Sequence, residues 1–291
     1  MVRIGVDDAN KEEAERCLHE EFPDSHDIYE ICDPWESSCQ PSIPADENEW
    51  LHQVIELGPS TRIVCNKKLF LFSGAVVSRQ RGITVGHATS EGGEIVLDSH
   101  PNKTVGRCKS MYDNLIRQNG EKLSADLALL ELHKCSVDNT IRWPFPAGRV
   151  LQVKIYKGQR VPDDTRVMVL DQNGHFQYGS IRRDHLTDMR LQDKDLHSVL
   201  AISTKKGQNE VSITQLGDSG ALVTSLPSKD SIVHVYGIVN SIYTEPTNGR
   251  SLTVACSLWD VIHELIINPK YSTEFKAKID NNNIGESIDF I

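Results

Sequence analysis

Three short stretches of this chain carry residues able to do nucleophilic chemistry once a fold brings them together. The first is Gly217-Asp218-Ser219-Gly220. Glycine, aspartate and serine are the residues of any tight turn. The same four also let the chain bend sharply enough to direct the backbone N–H groups of Gly217 and Ser219 to one point, which is an oxyanion hole. A serine hydroxyl is a poor nucleophile by itself and needs a base within hydrogen-bond reach. His87, in Gly82-Ile83-Thr84-Val85-Gly86-His87-Ala88, stands just past an apolar run among small neighbours that leave the imidazole room. Asp126 opens the apolar run Leu127-Ala128-Leu129-Leu130, a carboxylate at the mouth of a strand, where it can hold an imidazole in one tautomer. Singly, His87 reads as a surface histidine and Asp126 as a turn residue. Together they occur in the order His, Asp, Ser, one of the few orders in which such triads are built.

The elements that must hold these residues are strands. From about Leu51 the chain runs in short apolar segments separated by Gly, Asn and Asp turns: RIVC, LFLFSGAVV, GITV, EIVL, LALLEL, VLQVKIY, RVMVL, FQYGSI, SVLAIST, EVSIT, ALVTS, HVYGIV and SLTVAC. Period-two or fully apolar runs at this spacing predict an all-β sandwich or pair of barrels. Near the end, Ser257 to Ile267 has helical spacing, with Leu258, Val261, Ile262 and Leu265 on one face. Residues 1–50 differ in composition. Val2 to Val6 and Asp27 to Ile31 read as strands flanking a helix from Asn10 to Phe22, a small β-α-β-like appendage. An acidic linker punctuated by Pro34, Pro41 and Pro44 follows. The expected organisation is therefore an acidic appendage and linker at 1–50, the β domain at 51–268 and a polar C-terminal tail at 269–291.

Composition excludes several functions. The 291 residues carry 41 acidic and 31 basic side chains, a net charge of −10, with no dense basic block, so nucleic acid is not an expected partner. No apolar run reaches the length of a membrane span, and the N-terminus has acidic residues where a secretory signal would be cationic and then apolar. A cytoplasmic location is expected. The 7 cysteines are scattered with no C-x-x-C pair, which argues against a disulfide framework or a zinc cluster. Cys65 and Cys256, inside apolar runs, read as core. His263-Glu264 begins a zinc motif that Ile267 fails to complete, and Asp171-Gln172-Asn173-Gly174 reads as a hairpin turn rather than a calcium loop. Neither metal nor cofactor is expected.

Taken in order, these segments resemble the chymotrypsin/trypsin-like serine peptidase superfamily, over roughly Arg62 to Leu265. FSGAVV and GITVGHA resemble the strand and segment of the catalytic histidine, and ADLALLEL that of the aspartate. QLGDSGALV is similar to the nucleophile loop, VYGIVNS to a pocket-lining strand, and SLWDVIHEL to the terminal helix. The resemblance implies two packed six-stranded antiparallel β-barrels with a C-terminal helix, and a serine endopeptidase without cofactor acting on polypeptides. Ser219 would be the nucleophile, His87 the base and then the acid, Asp126 the orienter, and the N–H groups of Gly217 and Ser219 the oxyanion hole. A substrate pocket would be lined by Ile213 at its floor and by Asn240, Ser241 and Ile242. An uncharged floor predicts small to medium apolar side chains before the cut bond rather than Lys or Arg. A silent binding module or a serine esterase is the alternative use of the same residues, and the N-terminal appendage is expected to receive a regulatory partner.

Departures from that pattern carry expectations too. Ser73 and Ala88 stand where secreted relatives place a disulfide, and Gln215 stands where a pocket cysteine is usual, which fits a reducing compartment. Ile63-Val64 lies too close to His87 to serve as a new N-terminus pairing with Asp218. Asp218 therefore needs another partner, or the oxyanion hole forms only on binding. Asn240 occupies a place where a serine commonly supports the aspartate.

Overall fold

The computed structural model describes residues 2–5, 29–32, 55–279 and 290, apart from 77, 134, 144–148, 159–160, 187–188, 192–193, 207–208 and 246–248. The chain divides into two compact units, residues 1–53 with 142–150, and residues 54–141 with 151–291. In the first, Val2–Gly5 and Tyr29–Cys32 pair in parallel with Val2 opposite Tyr29. Parallel neighbours require a crossover between them. The helix expected from Asn10 to Phe22, and the proline-punctuated linker, lie outside the described residues.

The second unit is built on two sheets. Strands β1 (Arg62–Cys65), β2 (Lys68–Leu71), β3 (Gly74–Ala75), β4 (Arg81–Val85), β5 (Glu94–Leu97), β6 (His100–Ile116) and β7 (Lys122–Leu132) form the first. They are hydrogen-bonded in the order β2-β1-β5-β6-β7-β4-β3. Its two edges, β2 and β3, are successive parts of one bent stretch of chain. The joint is held at Ser73, whose N–H donates to the Ile83 carbonyl (3.1 Å). The sheet therefore curls back on itself, which removes the exposed edges an open sheet would present. Every residue of β4 is buried, as is β7 from Leu123 to Leu130.

Six strands of the second, nine-stranded sheet matter here: β8 (Arg166–Leu170), β9 (Phe176–Leu186), β10 (Val199–Lys206), β11 (Leu222–Ser225), β12 (Ile232–Thr244) and β13 (Ser251–Ser257). Antiparallel ladders run β8-β9-β10-β13-β12-β11 and return from β11 to β8, a closed six-stranded barrel. Val167, Val169, Ile181, Leu200, Ile202 and Val223 fill it. The two-barrel, all-β expectation therefore holds.

Helix α1 (Leu258–Ile267) follows β13 directly. Ser257 caps it by accepting the Asp260 N–H, and Leu258, Val261, Ile262 and Leu265 are buried as their spacing predicts. Helix α2 (Pro269–Lys278) starts within the segment expected to be a polar tail. Its start has a local cause: Asn268 caps the Lys270 N–H and Pro269 presets the first helical residue. Asn268 and Tyr271 fasten this corner to the end of β6, the Asn268 Nδ2 donating to the Ile116 carbonyl and the Ile116 N–H to the Tyr271 hydroxyl (2.9 Å each). Farther on, Phe290 bridges to Val76 and lays its ring over Gly74. No helix among the described residues is long and apolar enough to cross a membrane.

Candidate active site

His87 stands two residues past the end of β4, where Gly86 lets the chain approach β7. The Gly86 N–H donates to the Asp126 carbonyl (2.9 Å), and a Cβ at Gly86 would lie 3.2 Å from Asp126 Oδ1. Asp126 itself is not at the mouth of a strand. It sits inside β7, where the pairing with β6 slips between Ser124 and Leu127, and its φ is +41°. A β-bulge of this kind re-aims a side chain. A non-glycine residue held at positive φ persists only where its surroundings over-determine it.

Those surroundings are three donors. The His87 N–H donates to Asp126 Oδ1 (2.7 Å), the His87 Nδ1 bonds Oδ2 (2.6 Å), and the Asn240 side-chain amide donates to the same Oδ2. Asp126 is 6% exposed, whereas the His87 side chain is 38% exposed. The carboxylate is thus buried and fully engaged, and the imidazole it orients remains open to solvent.

Ser219 is placed by the first barrel from one side and the second from the other. The Leu71 N–H, at the end of β2, donates to the Ser219 carbonyl (2.8 Å). Ser73 Oγ donates to the Gly220 carbonyl (2.7 Å), and the Gly220 N–H donates to the Val239 carbonyl of β12 (2.9 Å). Position 220 must be glycine, because its φ is +95° and a Cβ would lie 2.0 Å from the Leu71 carbonyl oxygen. Ser73, which stands where secreted members of the resembled superfamily place a disulfide, thus supplies a hydroxyl bond to the Ser219 loop. The Ser219 hydroxyl donates to the Asn240 carbonyl (3.2 Å) rather than to the His87 ring. Asn240 therefore touches both Asp126 and Ser219.

Among the described residues, neither the Gly217 N–H nor the Ser219 N–H meets an acceptor. The partner of Asp218, left open by the sequence, is backbone. Its fully buried carboxylate accepts the Gln172 N–H at Oδ1 (2.9 Å) and the Gln215 N–H at Oδ2 (2.8 Å). Burial pushes its pKa above the usual carboxylate value, against the pull of those two amides, and the nearby charge of Asp171 adds to the rise. Gln172 belongs to the turn between β8 and β9, the hairpin expected from Asp171-Gln172-Asn173-Gly174. Asp171 organises that turn by accepting the N–H groups of Asn173 (2.8 Å) and His175 (2.9 Å).

Of the residues expected to line a pocket, Ile213 precedes the Ser219 loop, and Asn240, Ser241 and Ile242 belong to β12. Ile213 joins the core of the second barrel, its Cγ2 lying over Gly179 of β9, where a Cβ would come within 2.9 Å. It also borders a cavity of about 380 Å³ shared with Asp171, His175, Gln177, Tyr178 and Thr214, whose lining does not include Asn240, Ser241 or Ile242. Hydroxyls tie the Ile213 segment to β13: Ser212 Oγ and Thr214 Oγ1 each meet Thr253 Oγ1 at 2.8 Å. Thr253 pairs directly across from Ile242.

No family model and no curated protein matches this sequence. Solved structures do. Thermobifida fusca Protease A is similar at 14% identity, over 71% of this chain and 94% of that one, with a TM-score of 0.49. Nocardiopsis protease NAPase is similar at 14% identity over 71% and 95%, TM-score 0.48, and Cellulomonas bogoriensis chymotrypsin at 14% over 72% and 94%, TM-score 0.46. Chymotrypsin-like serine proteases are thus what the chain is similar to. At this identity the roles of its residues rest on their own geometry.

Sequence reasoning missed Gln172, Leu71 and Thr253. The first is legible only as a turn residue and the second only as core. Thr253 had a signal, a threonine inside an otherwise apolar run, but nothing local names its partners.

Proposed function

We propose that this chain is a serine endopeptidase. The observation that carries the reading is the Asp126–His87 pair, joined through Asn240 to Ser219 beside two unengaged N–H groups. In the proposed reaction His87 removes the Ser219 hydroxyl proton as Oγ bonds to the scissile carbonyl carbon. The carbonyl π electrons move to oxygen, and the resulting oxyanion accepts from Gly217 and Ser219 N–H, each such donor being worth on the order of 10² to 10³ in rate. Protonated His87 gives its proton to the leaving amine as the C–N bond breaks. A water, deprotonated by His87, then releases the acyl group and restores the serine. Asp126 holds the ring with Nδ1 protonated throughout. The reading requires the Ser219 hydroxyl to turn about χ1 from the Asn240 carbonyl to the His87 ring when substrate is bound, and hydrogen bonds in unliganded sites are commonly looser than in complexes.

One observation favours a second reading, a catalytically silent binding module: the bond of Ser219 to Asn240 instead of His87. A fluorophosphonate probe separates the two. Labelling of the wild-type chain but not of Ser219→Ala, with an unchanged thermal midpoint, supports the enzyme, and an unlabelled wild type sinks it. Digestion of casein then separates a peptidase from an esterase. We further propose that the chain works where thiols stay reduced, since Cys65, Cys108, Cys135 and Cys256 are all free.

A further inference from the structure

We propose that Gln172 is a positioning residue that fixes the oxyanion donor of Gly217. This inference rests on the peptidase reading and adds to it a residue outside the triad. The peptide between Leu216 and Gly217 is planar and trans, so its C=O and N–H point in opposite directions. Whatever holds the carbonyl therefore aims the N–H. Gln172 Nε2 donates to that carbonyl at 2.7 Å. The Leu216 side chain, 90% exposed, adds no packing that would hold the peptide. The glutamine amide also lies flat against Gly217, whose φ is +101°: a Cβ there would come within 2.5 Å of Oε1 and 2.7 Å of Nε2. With the carbonyl bound to the hairpin, the Gly217 N–H faces away from it and stays unengaged.

The alternative state is a flip of this one peptide. Glycine at 217 allows it, since both signs of φ are open to that residue. Flipping would replace a donor with a carbonyl oxygen at the point where negative charge develops, repelling the intermediate it should stabilise. Gln172 opposes the flip from two attachments. Its own N–H is anchored on Asp218 Oδ1, and its side chain reaches one peptide further to Leu216. The hairpin turn and the nucleophile loop are thereby locked as one unit, although they are separated by 44 residues between Gln172 and Leu216.

The test is Gln172→Met, which keeps the length and the backbone anchor but has no donor, compared with Gln172→Glu, which places an acceptor against the carbonyl. With a peptide amide substrate, kcat should fall on the order of 10²-fold in Gln172→Met and further in Gln172→Glu, with KM nearly unchanged. The affinity for a peptide aldehyde, which forms an oxyanion on Ser219, should fall in parallel, while the affinity for the cleaved product stays the same. Because Gln172→Met can fail by misfolding, thermal midpoints are measured on both variants. A loss of kcat confined to a variant with a lowered midpoint overturns the proposal. So do wild-type kcat and aldehyde affinity in folded Gln172→Met, which would leave the peptidase reading standing. A wild-type chain with neither turnover nor labelling overturns both.

Discussion

Asn240 serves two atoms of the proposed chemistry at once, its side-chain amide donating to Asp126 and its backbone carbonyl accepting from Ser219. Replacing it with alanine keeps the carbonyl and removes only the donor to a buried carboxylate. A hydrogen bond to a charged group is worth about 1.5–3 kcal/mol. We expect Asn240→Ala to lower kcat about 10- to 100-fold on a peptide substrate, with Ser219 still labelled, only more slowly. Gly220 makes a different demand. In Gly220→Ala a methyl group would be driven into the Leu71 carbonyl at a backbone φ unsuited to alanine. A cost of about 3 kcal/mol follows, and the thermal midpoint should drop by about 6–12 °C in a melt followed by circular dichroism. A midpoint within 2 °C of wild type would show that the loop can yield.

The clamp of α2 on β6 sets an alkaline limit. Tyr112 of β6 meets Phe275 of α2 edge to face, ring centroids 5.9 Å apart, and burial pushes its phenol up to about 12. An unfolded tyrosine titrates near 10. Between those values the unfolded chain loses a proton that the folded chain keeps, so stability is unaffected below about pH 10 and falls as pH rises above it. Tyr112→Phe should flatten that limb, seen as a urea midpoint that changes less between pH 9 and 11 than wild type does. The same two elements were the hardest to read from the sequence. β6 runs for 17 residues, yet only five of them are buried, and these, Val105, Gly106, Cys108, Ser110 and Leu115, never form an apolar run. α2 buries Phe275 alone, too little for a helical stripe. By contrast β4, β7 and β11 are apolar enough to announce themselves, and the small residues around His87, Asp126 and Ser219 are what close approach between strands requires. Gln172 was illegible because its meaning lies in a loop far along the chain.

Near its C-terminal end the chain returns to the first barrel: Phe290 packs on Gly74 and bridges Val76, near the bent stretch that closes that barrel. Truncating a buried phenylalanine costs about 3–5 kcal/mol. Phe290→Ala should therefore lower the thermal midpoint by about 6 °C or more, and an unchanged midpoint would mean that this anchor contributes nothing. Even the position of the proposed nucleophile depends on distant partners. Ser73 and Gly220, joined through a single hydroxyl, are 147 residues apart, and the Leu71 bond to Ser219 spans a comparable stretch. Contacts that far apart in sequence close late, because chain entropy must be lost before they form. On refolding, each barrel can collapse around its own core before the two meet, with the far-ultraviolet circular dichroism of the strands recovering ahead of any reaction with a serine-directed probe. The placement of Ser219 is thus a property of the docked pair and of neither half, so on the proposed chemistry a chain whose barrels have folded but not yet met has no serine poised to react.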